Sequence, residues 1–229
     1  MFWDAYPTLD IAMLNKGYYV TTIDVGDTYA CPDDQKHFNA FFQQITSYGL
    51  AKHAVLEGLS RGGLYAYRWG YLNPDKVAVL YADAPVCDMK LWPGGLGKKS
   101  ARNQPEWQLA LNSYHFTEKQ MLAFTGNPID NLAPLAAHHV PIIHVCGDSD
   151  SYVPKEENSD VMRERYMKLH GRFVEIVKQG CDHHPHGLTD PTPVVDYIMA
   201  YSAGGEVAAE ASKVAPKPGA VIVLAQGKW

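Results

Sequence analysis

The stretch His53–Pro74, HAVLEGLSRGGLYAYRWGYLNP, decides how the rest of the chain is read. An apolar run, Ala54-Val55-Leu56, leads into Gly58-Leu59-Ser60-Arg61-Gly62-Gly63, and an apolar helical pattern follows at once. This is G-x-S-x-G set between a strand and a helix, the turn that lifts a serine hydroxyl to the edge of a sheet. Glycines suit it mechanically. A serine held on a strained turn needs neighbours without a Cβ, so that strand and helix can approach closely. The helix N-terminus behind the serine favours negative charge developing beside it. An ordinary glycine-rich connection is the competing reading, and the flanking chain decides between the two.

Upstream, Pro7-Thr8-Leu9-Asp10 opens a helix with Leu9, Met13 and Leu14 on its apolar face, stopped at Gly17. Tyr18 to Val25 (YYVTTIDV) is β-branched and aromatic and reads as a strand. Asp33-Asp34 precede an amphipathic helix with Phe38, Phe41, Phe42 and Ile45 at helical spacing. Downstream, Val77 to Tyr81 is a strand ending in Ala82-Asp83-Ala84-Pro85. From about 86 to 131 the pattern breaks up, with Trp92-Pro93-Gly94-Gly95-Leu96-Gly97 as loop and one or two short helices over Trp107 to Phe124. This segment reads as an aromatic-rich insertion over the strand ends.

Alternation resumes with a strand over Val140 to Cys146 and a helix over Lys155 to His170, whose Met162, Tyr166 and Leu169 face inward. Gly171 closes that helix. A strand over Phe173 to Val177 and a helix over Pro191 to Tyr201 follow. The alternation predicts an α/β fold, a mostly parallel sheet covered by helices on both faces. Residues 1–203 would form this domain. Residues 204–229 would be an Ala/Lys/Pro linker followed by a strand over Ala220 to Leu224.

Composition narrows the function. At 229 residues and 46% hydrophobic, the chain suits one domain with a sizeable core. Its net charge of -5, with no basic tract beyond Lys98-Lys99 and Arg102, argues against nucleic acid and anionic membrane surfaces as partners. No apolar run is long enough to span a membrane. Met1-Phe2-Trp3-Asp4 has neither the basic nor the apolar region of a signal peptide, so location stays open between the cytoplasm and export. Cys31, Cys87, Cys146 and Cys181 are scattered with no C-x-x-C pair and read as reduced or incidental thiols, with one Cys146–Cys181 disulfide as the alternative.

Reactive groups in an open parallel sheet gather at the carboxyl ends of strands. Three stand there in the order Ser60, Asp150, His183. Asp150 lies in Gly147-Asp148-Ser149-Asp150-Ser151-Tyr152, and His183 in Gly180-Cys181-Asp182-His183-His184-Pro185-His186. One helix and one strand separate the last two, so both emerge at the same edge on neighbouring strands. A serine hydroxyl is too weakly acidic to attack unaided. The histidine takes its proton and later protonates the leaving group, while the carboxylate fixes the imidazole tautomer.

Competitors exist for each role. Asp148 reads as a turn or cap residue, and Asp83 could supply the acid instead of Asp150. His184 and His186 could line the pocket, replace His183 as base or form a metal cluster with it; lacking H-E-x-x-H or a second ligand cluster, the expectation is no metal and no cofactor. The backbone N–H of Arg61 should help form an oxyanion hole, with a second donor from Phe2 to Tyr6, Trp3 being the best guess. Trp92 and Trp107 could stack on a sugar or aryl group, or simply pack the insertion.

GLSRGG, YADAPVCDMKLWPGG, HVCGDSDSYVPKEEN and GCDHHPHGLTDPTPVVDYI together resemble bacterial serine esterases of the α/β-hydrolase superfamily, many of them found beside carbohydrate-active modules. The likeness runs from about Phe2 to Tyr201. It implies the α/β-hydrolase fold, a serine esterase acting on small-molecule carboxylic esters, acylated carbohydrates among them, and the Ser60, Asp150, His183 triad. Competing readings are a serine peptidase of the prolyl-oligopeptidase kind and a non-catalytic remnant of the fold. Two departures stand out. The superfamily normally has two or three strands before the first helix, and Met1 begins where they should end. Asp182 also replaces the glycine often found before the histidine. The exposed sheet edge this implies would be covered by the Gly219–Gln226 strand or by a second copy in a homodimer.

Overall fold

The computed structural model describes residues 5–229. At its centre is a five-stranded, wholly parallel sheet with strands in sequence order. These are β1 (Ala54–Leu59), β2 (Val77–Asp83), β3 (Ile142–Gly147), β4 (Phe173–Lys178) and β5 (Val221–Leu224). Because β2 to β4 are buried on both faces, they read as near-continuous apolar runs instead of alternating ones. Alternation decides only which face a side chain enters.

Leu80, Ala82, Ile142 and Phe173 point to one face. There α3 (Gly62–Leu72), α6 (Ala133–Ala137) and α7 (Ser159–Lys168) supply Tyr67, Trp69, Leu135, Met162 and Tyr166. Phe38 and Phe42 of α2 (Asp34–Ser47) pack on the same cluster from outside. Val79, Tyr81, Ile143, Val145, Val174 and Ile176 point to the other face. It is covered by Leu9 and Met13 of α1 (Thr8–Asn15) and by Val194, Val195, Tyr197 and Ile198 of α8 (Thr192–Ser202). The two-sided cover expected from sequence is present.

The segment after β2 forms α4 (Gln104–Tyr114) and α5 (Glu118–Leu122). Asn103 caps α4 by accepting from the Glu106 N–H, and Thr117 and Gln120 close a capping box on α5. Trp107, Leu111, Tyr114 and Met121 make a third core with Tyr29, Leu64, Val86 and Val153. Val86 and Val153 follow the carboxyl ends of β2 and β3, which fixes this core over the strand ends.

Four expectations need correction. Tyr18 to Val25 forms no strand, and Tyr19 lies exposed. β propensity makes a strand only where a neighbouring edge accepts its N–H and C=O groups, and that segment lines none. Residues 204–219 hold a helix, α9 (Gly205–Val214), packed beside α8, where a linker was expected. The C-terminal strand does not cover the outer edge of β1: β5 adds to the far edge, parallel to β4, with Glu175 opposite Val221 and Lys178 opposite Leu224. Finally, α7 begins at Ser159, after Lys155 to Asn158 has turned, and Leu169 ends up exposed behind its last turn. The described cysteines are all free and buried, as reduced thiols. No helix among the described residues is long and apolar enough to cross a membrane.

Candidate active site

Ser60 sits between β1 and α3 with φ of +52°, in the left-handed region that a residue bearing a Cβ rarely adopts. Two backbone bonds hold it there: the Ser60 N–H donates to the Asp83 carbonyl at 2.8 Å, and the Val86 N–H donates to the Ser60 carbonyl at 2.9 Å. The close approach requires two glycines. A Cβ on Gly58 would lie 2.8 Å from the Gly62 carbonyl oxygen, and one on Gly63 would lie 2.6 Å from the Pro85 Cβ. Gly62, the second glycine of G-x-S-x-G, has open space instead, so the clearance falls on Gly63. Arg61 stands just before α3, where main-chain N–H groups have no partner within the helix.

The three groups expected from strand order meet. The Ser60 Oγ lies 2.8 Å from His183 Nε2, and His183 Nδ1 lies 2.7 Å from Asp150 Oδ2. Asp150 follows β3, and its other oxygen accepts from the Tyr152 and Val153 N–H groups at 2.9 and 2.7 Å. Those bonds keep the carboxylate aimed at His183. His183 is 6% exposed and Asp150 likewise 6%, so their bond is shielded from water. A carboxylate only accepts, so Nδ1 carries the proton and Nε2 is left to accept from the serine.

Asp182, the departure from the superfamily pattern, joins the two loops. Its carboxylate accepts from the Ser151 N–H and the His183 N–H, both at 2.8 Å. The Ser151 backbone bond leads the effects that hold it below the usual carboxylate range. Asp148, expected as a turn or cap residue, bridges to the loop after β4 by accepting from the Gly180 N–H at 2.7 Å. Gly147 lets the loops meet: a Cβ there would lie 2.2 Å from the Cys181 carbonyl oxygen.

A second His–Asp pair lies behind the first and was not foreseen. His186, 2% exposed, lies with Nδ1 2.8 Å from Asp83 Oδ1, and the Gly187 N–H donates to Asp83 Oδ2 at 2.8 Å. The buried Lys178 places Nζ 3.9 Å from Asp83 Oδ1 and donates to the Pro185 carbonyl at 2.6 Å. Burial alone would push the Asp83 carboxyl up. Lys178 and the His186 hydrogen bond outweigh it and hold the group below its ordinary value. Asp83 therefore serves His186 and not His183.

The proposed pocket residues divide. Trp107 is fully buried in the insertion core and lines no pocket, a correction that follows from its size and from α4 placing it inward. His186 is taken up by Asp83, whereas His184 is exposed. Trp92 is half-buried and stacks on Tyr29 at 6.4 Å. Trp3 lies outside the described residues. Of the expected donor segment, Tyr6 already donates its N–H to the His186 carbonyl at 2.9 Å.

The Arg61 side chain bonds Glu106 of α4 at 2.9 Å and pairs with Asp27, with its guanidinium 5.2 Å over the Tyr29 ring. It ties the insertion to the serine turn. Two surface grooves, along α7 at Asp160 and Arg163 and between α8 and α9 at Met199 and Val207, are lined by residues outside this site. The hydrogen-bonded cluster at the strand ends, and not groove size, marks the candidate site.

No protein-family model matches the chain, and no curated protein sequence matches it. Solved structures do. The fold is similar to that of a puromycin-hydrolyzing peptidase from Mycobacterium tuberculosis, with TM-score 0.56 and 16% identity over 83% of this chain and 27% of that one. A puromycin hydrolase matches with TM-score 0.55 and 20% identity over 81% of this chain and 26% of that one. Dipeptidyl peptidase 4 from Porphyromonas gingivalis matches with TM-score 0.52 and 17% identity over 68% and 20%. The chain thus spans about a quarter of the length of the first two and less of the third. It has the α/β-hydrolase fold.

Proposed function

We propose that this chain is a serine hydrolase that cleaves carboxylic esters through an acyl-enzyme on Ser60. The observation that carries the reading is the unbroken line of bonds from Ser60 Oγ through His183 to Asp150, at 2.8 and 2.7 Å. His183 Nε2 takes the serine proton as Oγ bonds to the ester carbonyl carbon. The carbonyl oxygen becomes an oxyanion, met by the Arg61 N–H and the positive end of α3. Collapse of this adduct breaks the bond to the alkoxy oxygen, to which His183 returns the proton, and the alcohol leaves. Water repeats the sequence on the acyl-serine and releases the acid. Asp150 fixes the tautomer throughout and stabilises the imidazolium. An acylated sugar or aryl alcohol is the preferred leaving side, with Trp92 as the stacking surface.

Amide cleavage is the second reading. The named peptidases among the solved structures that share the fold favour it. Parallel rates on p-nitrophenyl acetate and butyrate, and on aminoacyl and dipeptidyl p-nitroanilides, separate the two. The ester reading expects turnover of the first pair and little of the second. Turnover confined to the anilides would replace it with the peptidase reading.

A further inference from the structure

We propose that the histidines after β4 form a second functional element, a binding site for a divalent transition cation, Zn²⁺ foremost, whose occupation switches the serine off. His183, His184 and His186 face one another edge-on, with ring centroids 4.8 to 5.0 Å apart. One ligand nitrogen from each lies within 4.8 Å of the other two.

The surroundings are those a zinc site requires. His183 and His186 each turn Nδ1 to a carboxylate, Asp150 at 2.7 Å and Asp83 at 2.8 Å. That leaves Nε2 as the lone-pair nitrogen of both rings. A carboxylate on the far nitrogen fixes the tautomer and orientation of the ring, as behind zinc-bound imidazoles generally. Asp150 also offsets part of the charge of a dication that neutral imidazoles would leave uncompensated, whereas the charge of Asp83 is already matched by Lys178. His183 and His186 are buried, while His184 is exposed and gives a route from solvent. A tetrahedral zinc with bonds near 2.05 Å sets its nitrogens about 3.3 Å apart. The trio must therefore contract somewhat, a change within reach of a side-chain rotation at the exposed His184.

The cation and the serine compete for one lone pair. His183 Nε2 is the atom 2.8 Å from Ser60 Oγ. A metal on that nitrogen removes the base that takes the serine proton, so occupation and hydrolysis exclude each other. The binding claim stands on the three imidazoles alone; the switching claim rests on the esterase reading above.

The test titrates Zn²⁺ into the metal-free full chain by calorimetry, with Co²⁺ as a visible-absorption probe. Expected are one Zn²⁺ per chain with a dissociation constant of micromolar or below, and an intense tetrahedral Co²⁺ spectrum. His184→Ala, at an exposed position that folding tolerates, should bind at least tenfold more weakly. Ser60→Ala, which frees Nε2, should bind as tightly as wild type or tighter. Binding by His184→Ala equal to wild type, or only a weak octahedral Co²⁺ spectrum, would overturn the site. With p-nitrophenyl acetate, the rate should fall in step with Zn²⁺ occupancy and return with EDTA. Full occupancy with an unchanged rate would overturn the switch. A chain that binds Zn²⁺ but never turns over ester at any metal level would refute the esterase reading and leave the site standing.

Discussion

Asp150 and Asp83 are both buried carboxylates bonded to a histidine, yet they answer to different partners. Asp150→Asn leaves His183 in the wrong tautomer, and ester hydrolysis should drop by about 10⁴-fold with little loss of stability. Asp83→Asn leaves Lys178, 1% exposed, without its counter-charge, and should cost roughly 3–5 kcal/mol of stability, read by urea denaturation. If Asp83→Asn were stable and inactive and Asp150→Asn unstable and active, the two roles would be exchanged. The turn offers a third test. Gly63→Ala puts a Cβ against Pro85, so either about 1–3 kcal/mol is lost or the serine moves and activity falls with it. Ser60, Asp150 and His183 were legible because strand order fixes where such groups emerge. The Asp83–His186 pair was not, since its partners are 103 positions apart and only the registers of β2 on β3 and of β3 on β4 bring Asp83 beneath the histidine loop.

Among the elements, the loops after β3 and β4 are bound to each other through Asp182. Asp182→Ala removes an acceptor of two backbone N–H groups and should lower kcat/KM about tenfold through looser positioning of His183, with only a small change in melting temperature. An unchanged kcat/KM would make the carboxylate incidental. The helices of the insertion were readable only as one or two short helices over Trp107 to Phe124, and the structure adds the local caps, Asn103 and Thr117, that start them. Two other segments were misread because their state depends on distant partners. Tyr18 to Val25 has strand residues but no edge to pair with, whereas Gly205–Val214 has small and charged residues that make a helix once α8 lies beside them. β5 belongs on β4, where Ile222 and Leu224 join the core. Ile222→Asp should therefore destabilise the chain by about 2 kcal/mol.

For the molecule as a whole, stability against acid is set by groups that the fold holds in one protonation state. His144 on β3 is fully buried between Tyr67 and Ser159, and burial pushes its pKa down to about 3. Folding thus favours neutral imidazole. The contribution is complete above pH about 6.5, the unfolded value, and is lost progressively down to about 3. Asp83, held low, contributes in full above the usual carboxylate range and loses that contribution only as pH falls below it. From pH 7 to 5 the His144 contribution alone falls by about 2 kcal/mol. His144→Gln should be less stable at pH 7 but show a shallower decline to pH 5 in urea melts; an equally steep decline would place the acid sensitivity elsewhere. The alternation of elements made the parallel sheet and its two covers readable at this scale, while the edge that β5 takes depended on which one the folded chain can reach. The central claim is that Ser60 is a nucleophile activated by His183, and intact mass after treatment with a fluorophosphonate tests it most directly. One adduct on the wild-type chain, located on Ser60 and absent from Ser60→Ala, is the result expected. A folded wild-type chain that takes no adduct would contradict it.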